Sequence, residues 1–133
     1  MKLPALLLFT VWLVGCATPP PPAPTPAAPS GLAELMERTA ERALIEGIRL
    51  YDEGQYPAAE ASLKRALQAG LASPRDQATA HKLIAFVACT SAREAECEAA
   101  FRAARRADPA FELAKAEAGH PMWGPVYRRV MAP

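Results

Sequence analysis

Between Ala17 and Gly31 the chain reads ATPPPPAPTPAAPSG, with seven prolines and no charged residue. Proline lacks a backbone N–H and fixes φ, and the alanines, threonines and glycine between offer almost no apolar surface to bury, so this stretch favours extended polyproline II and joins no core. The chain is therefore cut in two. Behind the cut, residues 32–133 amount to about 100 residues, enough for one small hydrophobic core. Ahead of it, Lys2 is followed by an apolar run from Leu3 to Val14. A spanning helix needs roughly 20 apolar residues, so this run reads as a signal segment and not as an anchor helix.

The run ends in Leu13-Val14-Gly15-Cys16, which resembles the lipobox of bacterial lipoprotein precursors. The resemblance implies cleavage before Cys16, a diacylglycerol thioether on its sulfur and acylation of its new amino group. The expected organisation is a signal peptide over 1–15, a lipidated cysteine with its proline-rich linker over 16–31, and a helical domain over 32–133. An ordinary secretory signal with a coincidental cysteine is the alternative, and it also exports the chain. Each buried lipid methylene contributes about 0.8 kcal/mol, so two or more acyl chains would hold the domain at a membrane without any inserted protein. Ala17 in place of aspartate after the cysteine resembles the sorting signal for the periplasmic face of the outer membrane. At about 3.1 Å per residue the linker would reach on the order of 45 Å. Loss of Lys2 leaves fourteen basic against fourteen acidic side chains; overall charge points neither to nucleic acid nor to an acidic lipid surface.

Within 32–133 the apolar residues recur at helical spacing and alanine is abundant. Ala43, Gly47 and Leu50 form one stripe with Leu44, Ile48 and Tyr51 beside it, and Asp52-Glu53-Gly54-Gln55 breaks the helix. Pro57 opens a second helix whose stripe is Ala59, Leu63, Ala66 and Leu67, and Gly70 ends it. Ser73 caps a third helix that carries Pro74 in its first turn and runs through Ile84, Ala85, Phe86 and Ala88 to Thr90. After a turn over 91–94, a fourth helix bears Cys97, Phe101 and Ala104 and stops at Asp108-Pro109. The segment from Phe111 predicts a short helix, a glycine stop, a turn on His120-Pro121, then Trp123 and a last amphipathic helix.

This register resembles the 34-residue tetratricopeptide pattern. Gly47, Tyr51, Tyr56, Ala59 and Ala66 match the first repeat, and Ala85, Cys97, Phe101, Ala104 and Pro109 the second. His81 stands at the usual tryptophan position, and about four extra residues fall near Gly70 to Ser73. The expectation is an all-α domain of two tetratricopeptide-like hairpins. Two repeats seldom stand alone, so residues 32–42 and 110–131 are the material for capping helices. In such repeats the first helix of each pair lines a concave face. The resemblance thus places Leu44, Ile48, Tyr51, Thr79, Lys82 and Phe86 in a partner-binding groove, unless the terminal helices cover it.

Gly119-His120-Pro121 and Trp123-Gly124-Pro125, together with Ala85-Phe86, Cys89, Arg93, Cys97, Phe101 and Asp108-Pro109-Ala110-Phe111, resemble the TssQ family of type VI secretion-associated lipoproteins over roughly residues 47–130. That resemblance implies an envelope-tethered accessory of a secretion machine, with an envelope protein as partner and no catalytic residue. A pilotin-like lipoprotein that escorts an outer-membrane component is the alternative. The residues themselves suggest no enzyme, cofactor, metal or small-molecule substrate. His81 and His120 have no partner at metal-ligand spacing and no serine lies in a nucleophile motif, so both read as packing or hydrogen-bonding groups. Trp123 reads as a plug for an open solenoid end, and Arg102, Arg105 and Arg106 as a solvated helix face. With Cys16 acylated, Cys89 and Cys97 are the remaining thiols. They flank the 91–94 turn in an oxidising compartment, so a disulfide is expected, although an ideal hairpin would set them a helical turn out of step. The other reading is two small residues filling a close helix contact.

Overall fold

The computed structural model describes residues 31–132, without the side chains of residues 32, 33 and 37. The signal segment, Cys16 and the proline-rich linker lie outside the described residues. Six helices follow in order: α1 Leu32–Asp52, α2 Tyr56–Ala69, α3 Pro74–Thr90, α4 Glu94–Ala107, α5 Lys115–Ala118 and α6 Gly124–Met131. The domain is all-α. Helices α1 and α2 form one tetratricopeptide-like hairpin and α3 and α4 the next; α2 packs on α3, and α6 closes the open side of α4. Residues 32–42 do not make a separate cap, because α1 runs unbroken for 21 residues. With no proline or turn former between the expected cap and the Ala43 stripe, nothing interrupts its backbone hydrogen bonds.

Both hairpins turn in the same way. At the end of α1 the Gln55 N–H donates to the Leu50 carbonyl (2.8 Å) and Gly54 takes a left-handed φ of 75°. At the end of α3 the Arg93 N–H donates to the Ala88 carbonyl (2.9 Å), and the left-handed residue is Ala92, φ 58°. This arrangement satisfies carbonyls that a helix end otherwise leaves unpaired. Ser73 caps α3, its hydroxyl accepting from the Asp76 N–H at 3.3 Å.

Helix approach is set by small residues. A Cβ added to Gly47 would lie 2.7 Å from Leu63 Cγ, so the α1–α2 contact exists only because that side chain is a hydrogen. Buried Ser62 donates its hydroxyl to the Ala43 carbonyl across the same contact (3.0 Å). The core is continuous from Ala40 and Leu44 through Leu63, Ala66, Ile84 and Phe86 to Phe101, Leu113 and Val126. Phe101 and Leu63 are fully buried, each contributing about 1.5–3 kcal/mol.

One buried charge joins the hairpins. Glu60 on α2 accepts from both Arg93 terminal nitrogens (2.6 and 3.1 Å) and pairs with Lys64 (2.7 Å). The Arg93 guanidinium first, and Lys64 after it, hold the Glu60 carboxyl down at about 2 against the opposing effect of burial.

Candidate partner-binding site

The concave face is half filled by the chain itself. Trp123 lies flat on Phe86, with ring centroids 4.1 Å apart and planes 18° apart, and His120 stacks on the far side of Trp123 at 3.3 Å and 3°. The sequence makes this plug locally. The Trp123 indole N–H donates to the Glu117 carbonyl (2.8 Å), His120 Nδ1 accepts from the Met122 N–H (3.2 Å), and the Leu113 N–H donates to the Tyr127 hydroxyl (3.1 Å). Gly124 permits the fold-back, since a Cβ there would sit 2.5 Å from the Ala118 carbonyl oxygen. Lys82 on α3 then bonds Glu117 on α5 at 2.7 Å, which ties the plug to the groove wall.

Two of the expected groove residues are therefore not groove residues. Phe86 is buried beneath Trp123, and Leu44 is core beside Leu63 and Ala66. The fold-back of Trp123 removes the water that an open groove would leave on Phe86, whereas Leu44 on α1 is buried by the packing of α1 against α2 and α3. Ile48 and Tyr51 are half-buried at the edge of this packing; Tyr51 lies 5.4 Å from Tyr56 and 6.4 Å from Phe86, and burial first, with the Tyr56 hydroxyl second, pushes its own hydroxyl pKa up. Lys82 is half-buried and its ammonium is engaged by Glu117. Thr79 keeps an open side, although its hydroxyl donates to the Arg75 carbonyl.

What stays open beside the plug is a cleft of about 440 Å³ between α3 and the loop after α4, lined by Arg75, Thr79, Lys82, Asp108, Phe111 and Glu112. Arg75, Thr79 and Lys82 are spaced i, i+4, i+7 and share one face of α3. The opposite wall is the loop after α4, held by an Ala110 N–H to Asp108 carboxylate bond (2.9 Å). Arg75 and Glu112 make no ion pair or side-chain hydrogen bond among the described residues, so both remain available to a ligand. Sequence reasoning reached Thr79 and Lys82 but not Arg75, Phe111 or Glu112. The same seven-residue face on α3 carried the signal for Arg75; the loop residues had none.

His81 is half-buried on α3, and burial first, then the Arg106 charge, pushes its pKa down. His81 and His120 stand apart, and no group of His, Cys, Asp or Glu able to hold a metal occurs among the described residues. Cys89 and Cys97 are joined by a disulfide with Cα atoms 5.2 Å apart. The two positions face each other across the turn, and the out-of-step register of an ideal hairpin does not apply. No helix among the described residues is long and apolar enough to cross a membrane. Comparison with protein-family models, with curated proteins and with solved structures finds no match to this chain.

Proposed function

We propose that this chain is a protein-interaction module tethered to an envelope membrane through lipid on Cys16, serving as an accessory lipoprotein of a bacterial secretion machine. The observation that carries the reading is the open cleft between the inner side of α3 and the loop after α4. A tetratricopeptide-like solenoid binds partners on its concave face, and here the plug leaves an amphipathic cleft with Phe111 as apolar floor and Arg75 and Glu112 as unengaged charges. Aromatic and arginine side chains in such clefts carry a large share of interface energy. The lipobox-like Leu-Val-Gly-Cys run and the proline-rich linker support the tether, and the resemblance to the TssQ family supports type VI secretion as the machine.

A photo-crosslinking residue at Thr79 should trap a component of that machine in cells, and one at Glu41 on α1 should not. Phe111→Ala and Arg75→Glu should abolish the Thr79 product while the protein accumulates normally. Identical products from both positions, or secretion unaffected by both substitutions, would overturn the assignment. Fatty-acid labelling lost in Cys16→Ser tests the anchor separately.

A further inference from the structure

We propose that the end of the domain where α1 begins rests on an anionic lipid surface, through the arginines of the last turns of α4 and the exposed apolar side chains of the first turns of α1. The proposal deepens the tether reading above and rests on it. Three short connections make the four long helices alternate in direction, so the start of α1, the end of α2, the start of α3 and the end of α4 lie at one end of the domain. The linker to Cys16 enters at this end, immediately before Leu32.

That end carries a basic notch of about 340 Å³ lined by Arg102, Arg105, Arg106 and Val130, with no acidic side chain in its wall. Arg106 makes no ion pair or side-chain hydrogen bond among the described residues. Arg102 pairs with Glu98, a carboxylate that also holds Arg129, which Glu94 engages in turn. Arg105 bonds only the Met131 carbonyl and sulfur, which leaves its charge uncompensated. At the same end Leu35 is 57% and Met36 49% exposed, two of the five exposed large apolar side chains among the described residues. The far end is more acidic: Glu46, Asp52, Glu53, Glu94 and Glu96 stand there against Arg49 and Arg93, whereas at the contact end Glu34, Asp76 and Asp108 stand against Arg38, Arg75, Arg102, Arg105 and Arg106. Overall neutrality thus conceals a polarity along the domain. Arginines that grip lipid phosphates beside apolar side chains that enter the headgroup region are the combination that interfacial binding uses.

Each basic residue near an anionic surface changes binding by about fivefold, so three give weak docking for a free domain. A tether that reaches no further than about 45 Å supplies an effective concentration on the order of millimolar, at which weak docking becomes the populated state. The docked state would set the domain upright, with the acidic end turned away from the bilayer and the cleft, which opens near the contact end between α3 and the loop after α4, beside the headgroups.

Trp123 is the single tryptophan after Cys16, and with Cys89 and Cys97 bonded Cys16 is the single thiol. Both facts make a direct test. The chain from Cys16 to Pro133 is coupled through its Cys16 thiol to a maleimide phospholipid in vesicles that contain a dansyl-headgroup acceptor, so the result does not depend on natural acylation. Trp123 packs on Phe86, twelve residues into α3 and so about 18 Å from the proposed contact end, which puts it within transfer distance only when docked. Vesicles with 30% phosphatidylglycerol should give severalfold more energy transfer than pure phosphatidylcholine, and 1 M salt should erase the difference. Arg102→Gln combined with Arg106→Gln should reduce the docked-to-free ratio at least tenfold, whereas Arg49→Gln, at the far end of α1, should leave it unchanged. Equal transfer on both lipids, or equal loss in both variants, would overturn the proposal.

Discussion

The two hairpins follow one plan thirty-eight residues apart, Gly54 answering to Ala92 and Tyr51 and Ala59 to Cys89 and Cys97, yet they are held shut by different means. Hairpin α1–α2 relies on Gly47 for its closest contact and on glycine at the left-handed turn position. Hairpin α3–α4 places alanine at that turn position, a conformation that costs an L-residue about 1–2 kcal/mol, and adds a disulfide across the same turn. It also carries the plug and α6, which need a firm base. Backbone strain persists where surrounding structure over-determines it, and here the covalent link lies three residues away on one side and five on the other.

Removing the plug should have the largest effect. Trp123→Ala deletes the ring on Phe86 and the bond to Glu117, and should cost about 3–5 kcal/mol in denaturant unfolding while exposing the concave face to an apolar dye. A loss under about 1 kcal/mol would mean that α3–α4 stands without its C-terminal cover. Next comes the disulfide. Cys89→Ala with Cys97→Ala should destabilise by about 2–3 kcal/mol, the chain-entropy value for so short a loop. Tyr51→Cys with Ala59→Cys asks whether the first hairpin accepts the same bond; a closed, alkylation-resistant product would show that the two turns are geometrically interchangeable.

Acid titration tests the joint between the hairpins. Glu60 has a folded pKa of about 2 against an ordinary value of 4.5. Its contribution is therefore complete above pH 4.5 and is lost as pH falls from there towards 2, with an amplitude of about 2–3 kcal/mol. Glu60→Gln should flatten that part of the stability profile and lower stability at pH 7 by a similar amount; an unchanged slope would place the acid sensitivity elsewhere. The smallest pair is the most direct. Ala92→Gly should raise stability by about 0.5–1 kcal/mol and Gly54→Ala lower it by about 1 kcal/mol, opposite signs at equivalent positions, read from denaturation midpoints.

Helix boundaries were legible because their signals are local. Ser73-Pro74, Gly54, Gly70 and Asp108-Pro109 act on the backbone within a turn of themselves, and the structure starts or ends a helix at each. Gly47 and Ala85 were legible as close contacts because repeat register carries that information along the chain. The groove was not legible in the same way. Phe86 occupies a position that faces inward in either case, and whether inward means a partner or the protein's own Trp123 depends on a segment more than thirty residues away; Leu44 is instead closed in by α2 and α3.

The sequence by itself determined where helices start and stop, the pairing of neighbours into hairpins and the separation of a proline-rich linker from a foldable domain, since all of these rest on backbone conformation and periodicity over a few residues. Only the tertiary structure decided that His120 and Trp123 fill one half of the concave face, that Glu60 and Arg93 meet across the hairpins, and that three α4 arginines share an end with the start of α1. Those outcomes depend on distances between residues far apart in the chain. Such distances are set by how closely small side chains let helices approach, a sum over the whole packed core that no single stretch of sequence encodes.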